Sequence, residues 1–133
     1  MVDQALSVLV VDDDPLVLSA VSCFLQRRGM KTTCTDSPFG VSALVRKEAP
    51  DVIVLDCNMP GLDGPCLFQI LRKNPRTAKT PIVFHSGNAV DGLAELAASL
   101  GARYAAKSQG LRSLVDTIVT AVRAPRGRFA TIH

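Results

Sequence analysis

Val8-Leu9-Val10-Val11, followed at once by Asp12-Asp13-Asp14-Pro15, is the stretch whose reading decides the fold. An uninterrupted, mostly β-branched apolar run predicts a strand buried on both faces, as in a parallel sheet. Asp14 can then cap a helix that has Pro15 at its first position. A second run, Val52-Ile53-Val54-Leu55, also ends in an acid, Asp56. In open α/β sheets the carboxyl ends of the strands line the ligand crevice. If the two strands are neighbours, Asp12, Asp13 and Asp56 share one small space. At about 4 Å and an effective dielectric near 20, each ionised pair repels by about 4 kcal/mol. Such a cluster asks for a cation.

Strand and helix patterns alternate five times along the chain. The first helix carries the stripe Leu16, Val17, Ala20, Val21, Phe24 and Leu25, with Gly29 at its stop. Lys31–Thr35 is short, polar and Thr-rich, which suits a sheet edge. Ser37-Pro38 opens a second helix with Val41, Leu44 and Val45 inward, ended by Pro50. After the central strand, a loop from Cys57 to Gly64 leads into a helix with Leu67, Ile70 and Leu71. Pro81–His85 is the fourth strand, followed by an Ala-rich helix with Leu93, Leu96, Ala97 and Leu100, stopped by Gly101. A fifth strand covers Ala102–Ala106, and the last helix has Leu111, Leu114, Val115, Ile118, Val119 and Val122 on one face. This alternation predicts an α/β domain with a parallel sheet and helices on both faces.

With 133 residues the chain forms one domain able to bury a core without staples. Net charge is +3, too mild to argue for nucleic acid or membrane, and the basic residues are scattered in sequence, each group reading as a solvated face. Cys23, Cys34, Cys57 and Cys66 have no C-x-x-C spacing and no nearby histidine, which argues against zinc. Buried free thiols in a cytoplasmic protein are the expectation. The N-terminus has no basic leader and its apolar run breaks into aspartates, so neither a signal peptide nor a membrane span is expected. The tail Ala124–His133 is basic and reads as frayed or as a linker.

Beyond Asp56, the stretch Cys57-Asn58-Met59-Pro60-Gly61-Leu62-Asp63-Gly64 builds a tight turn around Pro60-Gly61. Backbone carbonyls there can join the carboxylates around a hard cation, and an all-oxygen set suits Mg²⁺. Ser86 ends the fourth strand and Lys107 the fifth, at the same level of the sheet. Ser86 beside His85 is not a Ser-His-Asp triad, because adjacent strand residues face opposite sides and no nucleophile elbow surrounds the serine. His85 reads as a core-facing or hydrogen-bonded histidine. Three carboxylates, a hydroxyl and an ammonium match phosphoryl chemistry: a metal site, a carboxylate nucleophile and two groups for the remaining oxygens.

The motifs VLVVDDDP, DVIVLDCNMPGLDG, PIVFHSGN and GARYAAK together resemble the receiver domain of two-component response regulators, the CheY-like family, over about residues 6–123. The resemblance implies a doubly wound (βα)5, flavodoxin-like sheet of order 2-1-3-4-5, with residues 1–123 as the receiver and 124–133 as tail or linker stub. It implies that Asp12 and Asp13 bind Mg²⁺, with Asp56 and the backbone carbonyl of Asn58. It makes Asp56 the phosphoacceptor, Ser86 and Lys107 the phosphoryl-oxygen binders, and Ser86 and Tyr104 the switch pair. The phosphoryl donor would be a sensor histidine kinase or phosphotransfer protein. The output would be a helix 4, strand 5 and helix 5 surface offered to a downstream protein, with no direct nucleic-acid partner and no membrane. Self-catalysed hydrolysis of the acyl phosphate, tuned at Asn58 and Asn88, would be its only catalysis besides phosphorylation.

Three positions depart from the family pattern. Ser108 follows the lysine where proline, often with a cis bond, is usual; a cis bond before a non-proline residue costs about 3 kcal/mol, which leaves the placement of Lys107 open. His85 occupies a normally apolar position, and Ala102-Arg103 replaces an acidic pair. Two other readings compete: an interaction-only pseudo-receiver with the same fold, and a haloacid-dehalogenase-type phosphatase reading Asp12-Asp13-Asp14 as D-x-D. The second puts the nucleophile on the first strand, in a chain short for that class.

Overall fold

A computed structural model describes residues 5–57, 64–87 and 93–124. The elements run β1 (Ser7–Val11), α1 (Pro15–Arg27), β2 (Lys31–Thr35), a 3-10 turn (Pro38–Gly40), α2 (Val41–Glu48), β3 (Val52–Leu55), α3 (Gly64–Lys73), β4 (Ile82–Ser86), α4 (Leu93–Leu100), β5 (Arg103–Ala106), a second 3-10 turn (Lys107–Gln109) and α5 (Gly110–Arg123). All strand pairs are parallel, in the order β2-β1-β3-β4-β5. The expected order holds, and β2 lies at an edge.

The period of two in each strand divides the core. Leu9, Val11, Ile53, Leu55, Ile82 and Phe84 pack with α2, α3 and α4 through Val41, Val45, Leu67, Phe68, Leu71 and Ala97. Val8, Val10, Val52, Val54, Val83 and Ala105 pack on the other side with α1 and α5, through Val21, Leu25, Leu114, Val115, Ile118 and Ala121. Because β1 and β3 are covered on both sides, Val8–Val11 and Val52–Leu55 are all buried. That explains why they read as unbroken apolar runs.

Several sequence expectations are corrected in detail. Leu16 is 80% exposed and Ala20 is exposed, while Leu18 packs against the core instead. At 3.6 residues per turn, Leu16 stands about 140° around α1 from the buried Val21. In α3 Phe68 is buried and Ile70 is exposed, and in α4 Leu96 is exposed. Ser37 caps the 3-10 turn by accepting from the Phe39 amide, so α2 begins only at Val41. Cys23, Cys34 and Cys66 are exposed; only Cys57 is buried. The α1 start matches its reading: Asp14 accepts from the Leu16 amide at 2.9 Å with Pro15 first in the helix. α1 ends at Arg27 with Arg28 as its C-cap, followed by Gly29 at φ +82°, a conformation that favours glycine.

Candidate functional site

The chain turns sharply at the ends of β1 and β3, and backbone bonds set the spacing of the acids. The Asp56 amide donates to the Val11 carbonyl at 2.9 Å, and the Asp12 amide to the Thr35 carbonyl at 3.1 Å. Asp12 Oδ1 in turn accepts from the Asp14 amide at 2.9 Å. These bonds hold the Asp12 and Asp56 backbones side by side at the carboxyl edge of the sheet. Asp12 and Asp56 are buried, 2% and 4% exposed, whereas Asp13 is exposed. Carboxylate oxygens of Asp12, Asp13 and Asp56 lie within 4.8 Å of one another.

Lys107, the first residue after β5, brings the compensating charge. Its Nζ lies 2.7 Å from Asp12 Oδ2 and 3.7 Å from Asp56 Oδ2. Burial pulls the lysine pKa down, but the Asp12 hydrogen bond and charge, then the charges of Asp56 and Asp14, outweigh it and raise the pKa above its usual value. The side chain is therefore a firm cation. It reaches the acids with Ser108 following it, so the departure from the usual proline does not displace it from the cluster. Its stem passes Gly87, a residue the sequence reading did not single out, where a Cβ would stand 3.5 Å from Lys107 Cδ. A residue beside a long cationic stem leaves no signal in sequence beyond its place after the strand-end hydroxyl.

Ser86 closes β4, the strand next to β3, and is buried with no hydrogen-bond partner for Oγ among the described residues. His85 is also buried, on the opposite side, and its Nε2 has no such partner either. Burial, then the Lys107 charge, lowers its pKa to about 4 against the pull of Asp12, so it is neutral at pH 7. Its burial agrees with the core-facing reading of His85. Tyr104 pairs in register with Phe84 and packs, partly buried, against the α2–α4 side of the core. Asn58, Asn88 and the Pro60-Gly61 turn lie outside the described residues.

The donor set fits a hard divalent cation. Three carboxylates, two of them buried, with oxygens within 4.8 Å of one another are the kind of all-oxygen group that such an ion takes. An all-carboxylate set with no thiol or imidazole matches Mg²⁺ better than zinc.

Fold and site together define a doubly wound α/β domain whose strand ends carry an acidic centre bridged by a lysine. A family model, the response regulator receiver domain, matches residues 8–119. The chain belongs to that family. It is 35% identical over 77 residues to the transcriptional regulatory protein AfsQ1 of Streptomyces coelicolor, covering 58% of this chain and 33% of that protein. It is 32% identical over 142 aligned positions to a protein-glutamate methylesterase/protein-glutamine glutaminase of Koribacter versatilis, covering 94% of this chain and 38% of that protein. The chain thus spans about a third of the length of these curated relatives. Among solved structures, a putative response regulator from Chloroflexus aurantiacus superimposes with a TM-score of 0.83 at 25% identity, over 90% of this chain and 99% of that one. No described helix is long and apolar enough to cross a membrane.

Proposed function

We propose that Asp56 is the phosphoacceptor of this receiver domain and takes its phosphoryl group from a phosphohistidine on a sensor histidine kinase or phosphotransfer protein. A carboxylate oxygen of Asp56 attacks phosphorus in line. The O–P bond forms as the P–N bond to the imidazole breaks, and the imidazole leaves with the electron pair. The observation that carries this reading is the placement of Lys107 Nζ against both Asp12 and Asp56. One cation there can neutralise charge developing on the transferring oxygens at the carboxylate that attacks.

Asp12, Asp13 and Asp56, with the Asn58 backbone carbonyl, would hold Mg²⁺, which supplies further charge neutralisation and orientation. The Ser86 hydroxyl, buried and unpartnered among the described residues, is a donor suited to a phosphoryl oxygen. Its recruitment would move the end of β4, and Tyr104, paired with β4 two residues back at Phe84, would reorient with it. The face readable by a downstream protein is then α4, β5 and α5. A depression of about 560 Å³ lies there, lined by Ala97, Tyr104, Asp116 and Thr120 among others. Residues 1–123 form the receiver and 124–133 a tail or linker, acting in the cytoplasm. The domain catalyses only its own phosphorylation and dephosphorylation.

Intact-mass measurement after incubation with a phosphorylated kinase or an acyl-phosphate donor and Mg²⁺ tests this directly. One phosphate should be gained by the wild type and none by a folded Asp56→Asn variant. Uptake retained in the variant would overturn the assignment, and no uptake by the wild type would favour an interaction-only pseudo-receiver.

A further inference from the structure

The basic residues that are scattered in sequence are gathered in space. Each helix runs back against the parallel strands, so helix ends and strand starts meet at the pole opposite the acidic centre. Arg27, Arg28 and Lys31 come from the α1–β2 turn, and Arg46 and Lys47 from the last turn of α2. Lys73, Arg76 and Lys79 surround the α3–β4 connection, and Arg123 ends α5. All of these are exposed. The described acids at this pole are Glu48 and Asp51, both half-buried. Glu48 pairs with Lys31 at 3.4 Å, and Asp51 accepts from the Ser7 amide at 2.8 Å. Of the described exposed acids, Asp13, Asp14 and Asp36 stand at the other pole, as does Glu95 in the first turn of α4, and Asp116 lies midway along α5.

Complementing helix dipoles accounts for a cation in the last turn of each helix. It does not account for Arg28, Lys31, Arg76 and Lys79, which lie beyond the helix ends. We propose that this basic pole docks the domain on an anionic membrane surface. The strand register puts the strand starts in one slanting layer: Ser7 with Lys31, Val8 with Val52, Ile53 with Ile82 and Val83 with Arg103. The layer holds one depression, of about 340 Å³ and lined by Asp51, Arg76 and Thr80 among others, with the other cations spread around it. Helices present their carbonyl ends here, so the backbone amides that hold individual phosphates at helix N-termini are at the far pole. Long cationic side chains spread over one end, with no exposed aromatic among the described residues there for base stacking, fit a diffuse sheet of headgroup charge better than a nucleic acid. A small net charge of +3 conceals this polarity. Docked this way, the acidic centre faces away from the membrane and stays open to a phosphoryl donor.

Co-sedimentation of the full chain with vesicles of phosphatidylcholine containing a third phosphatidylglycerol, against pure phosphatidylcholine, tests the proposal. Binding should require the anionic lipid and vanish at high salt. The triple variant Lys73→Glu, Arg76→Glu, Lys79→Glu should lose partitioning on the order of a hundredfold, with an unchanged circular-dichroism spectrum and unchanged phosphate uptake. Arg112→Glu, exposed near the start of α5 and away from the pole, should bind as the wild type. Equal binding by the triple variant, or none by the wild type at low salt, overturns the proposal. Tighter binding to a labelled DNA duplex than to vesicles at matched salt overturns the choice of membrane.

Discussion

Lys107 Nζ stands 2.7 Å from Asp12 Oδ2, joining the end of β5 to the end of β1 across the two strands between them. The pair is nearly closed to solvent on the acid side, with Asp12 at 2% exposure. Removing one member of such a pair leaves the other charge uncompensated, here among two further carboxylates. Lys107→Met keeps most of the stem and removes the charge. It should destabilise the metal-free protein by about 2 kcal/mol in urea titrations at low salt, since the lysine is itself partly exposed. Because folding raises the lysine pKa, the pair's contribution is complete below the ordinary value of 10.5 and is lost only as pH rises through the higher folded value. The difference between wild type and variant should therefore stay constant from pH 7 to about pH 9. Equal stability of the two proteins in that range would rule out the pair as a structural tie.

Asp13 should behave oppositely. It is the exposed member of the acidic group and faces the same crowding of like charge. Asp13→Asn should raise metal-free stability by about 0.5–1 kcal/mol by relieving repulsion. It should also weaken Mg²⁺ binding, measured as the thermal shift on adding the ion, by at least about tenfold. A variant that loses stability without metal would show that Asp13 is held by contacts rather than strained by its neighbours.

Ser86→Ala separates resting from modified protein. The hydroxyl has no partner among the described residues, so its removal breaks no bond and should leave unfolding free energy within about 0.5 kcal/mol. The same variant should bind beryllofluoride with Mg²⁺ more weakly, and its Tyr104 resonance should shift less than the wild type's on adding the analogue. An unchanged Tyr104 response would disconnect the serine from the switch.

Much of this was legible because parallel strands leave strong marks. Val8–Val11 and Val52–Leu55 are covered on both faces, so neither alternates, and each ends in the acid that the crevice uses. What eluded the sequence depends on angles and on distant encounters. Leu16 is apolar and next to the stripe, yet the turn of the helix carries it into solvent. Cys23 and Cys66 are exposed on their helices, and Cys34 is exposed on the edge strand although its thiol faces the Leu18 carbonyl of α1; composition registers none of this. The basic pole is the clearest case, since its residues are separated by up to about a hundred positions and meet only because the winding of the chain returns every helix to the same end.

His85 supplies the last test, and its sign is the reverse of the lysine's. The imidazole is 2% exposed, and its pKa is lowered from 6.5 to about 4, by burial first and the Lys107 charge second. Above pH 6.5 both folded and unfolded chains hold it neutral, and nothing is lost. Between pH 6.5 and about 4 the unfolded chain takes up a proton that the folded protein refuses, so stability falls as pH falls, by about 2–3 kcal/mol over the window. Carboxylates titrate near the lower end of the same range, so the comparison must be with His85→Val, which keeps an apolar strand residue and removes the imidazole. Urea midpoints for the two proteins should run parallel above pH 6.5 and diverge below it, with the variant holding its stability better toward pH 4.5. Parallel curves throughout would mean that the buried imidazole accepts its proton in the folded state as readily as in the unfolded one.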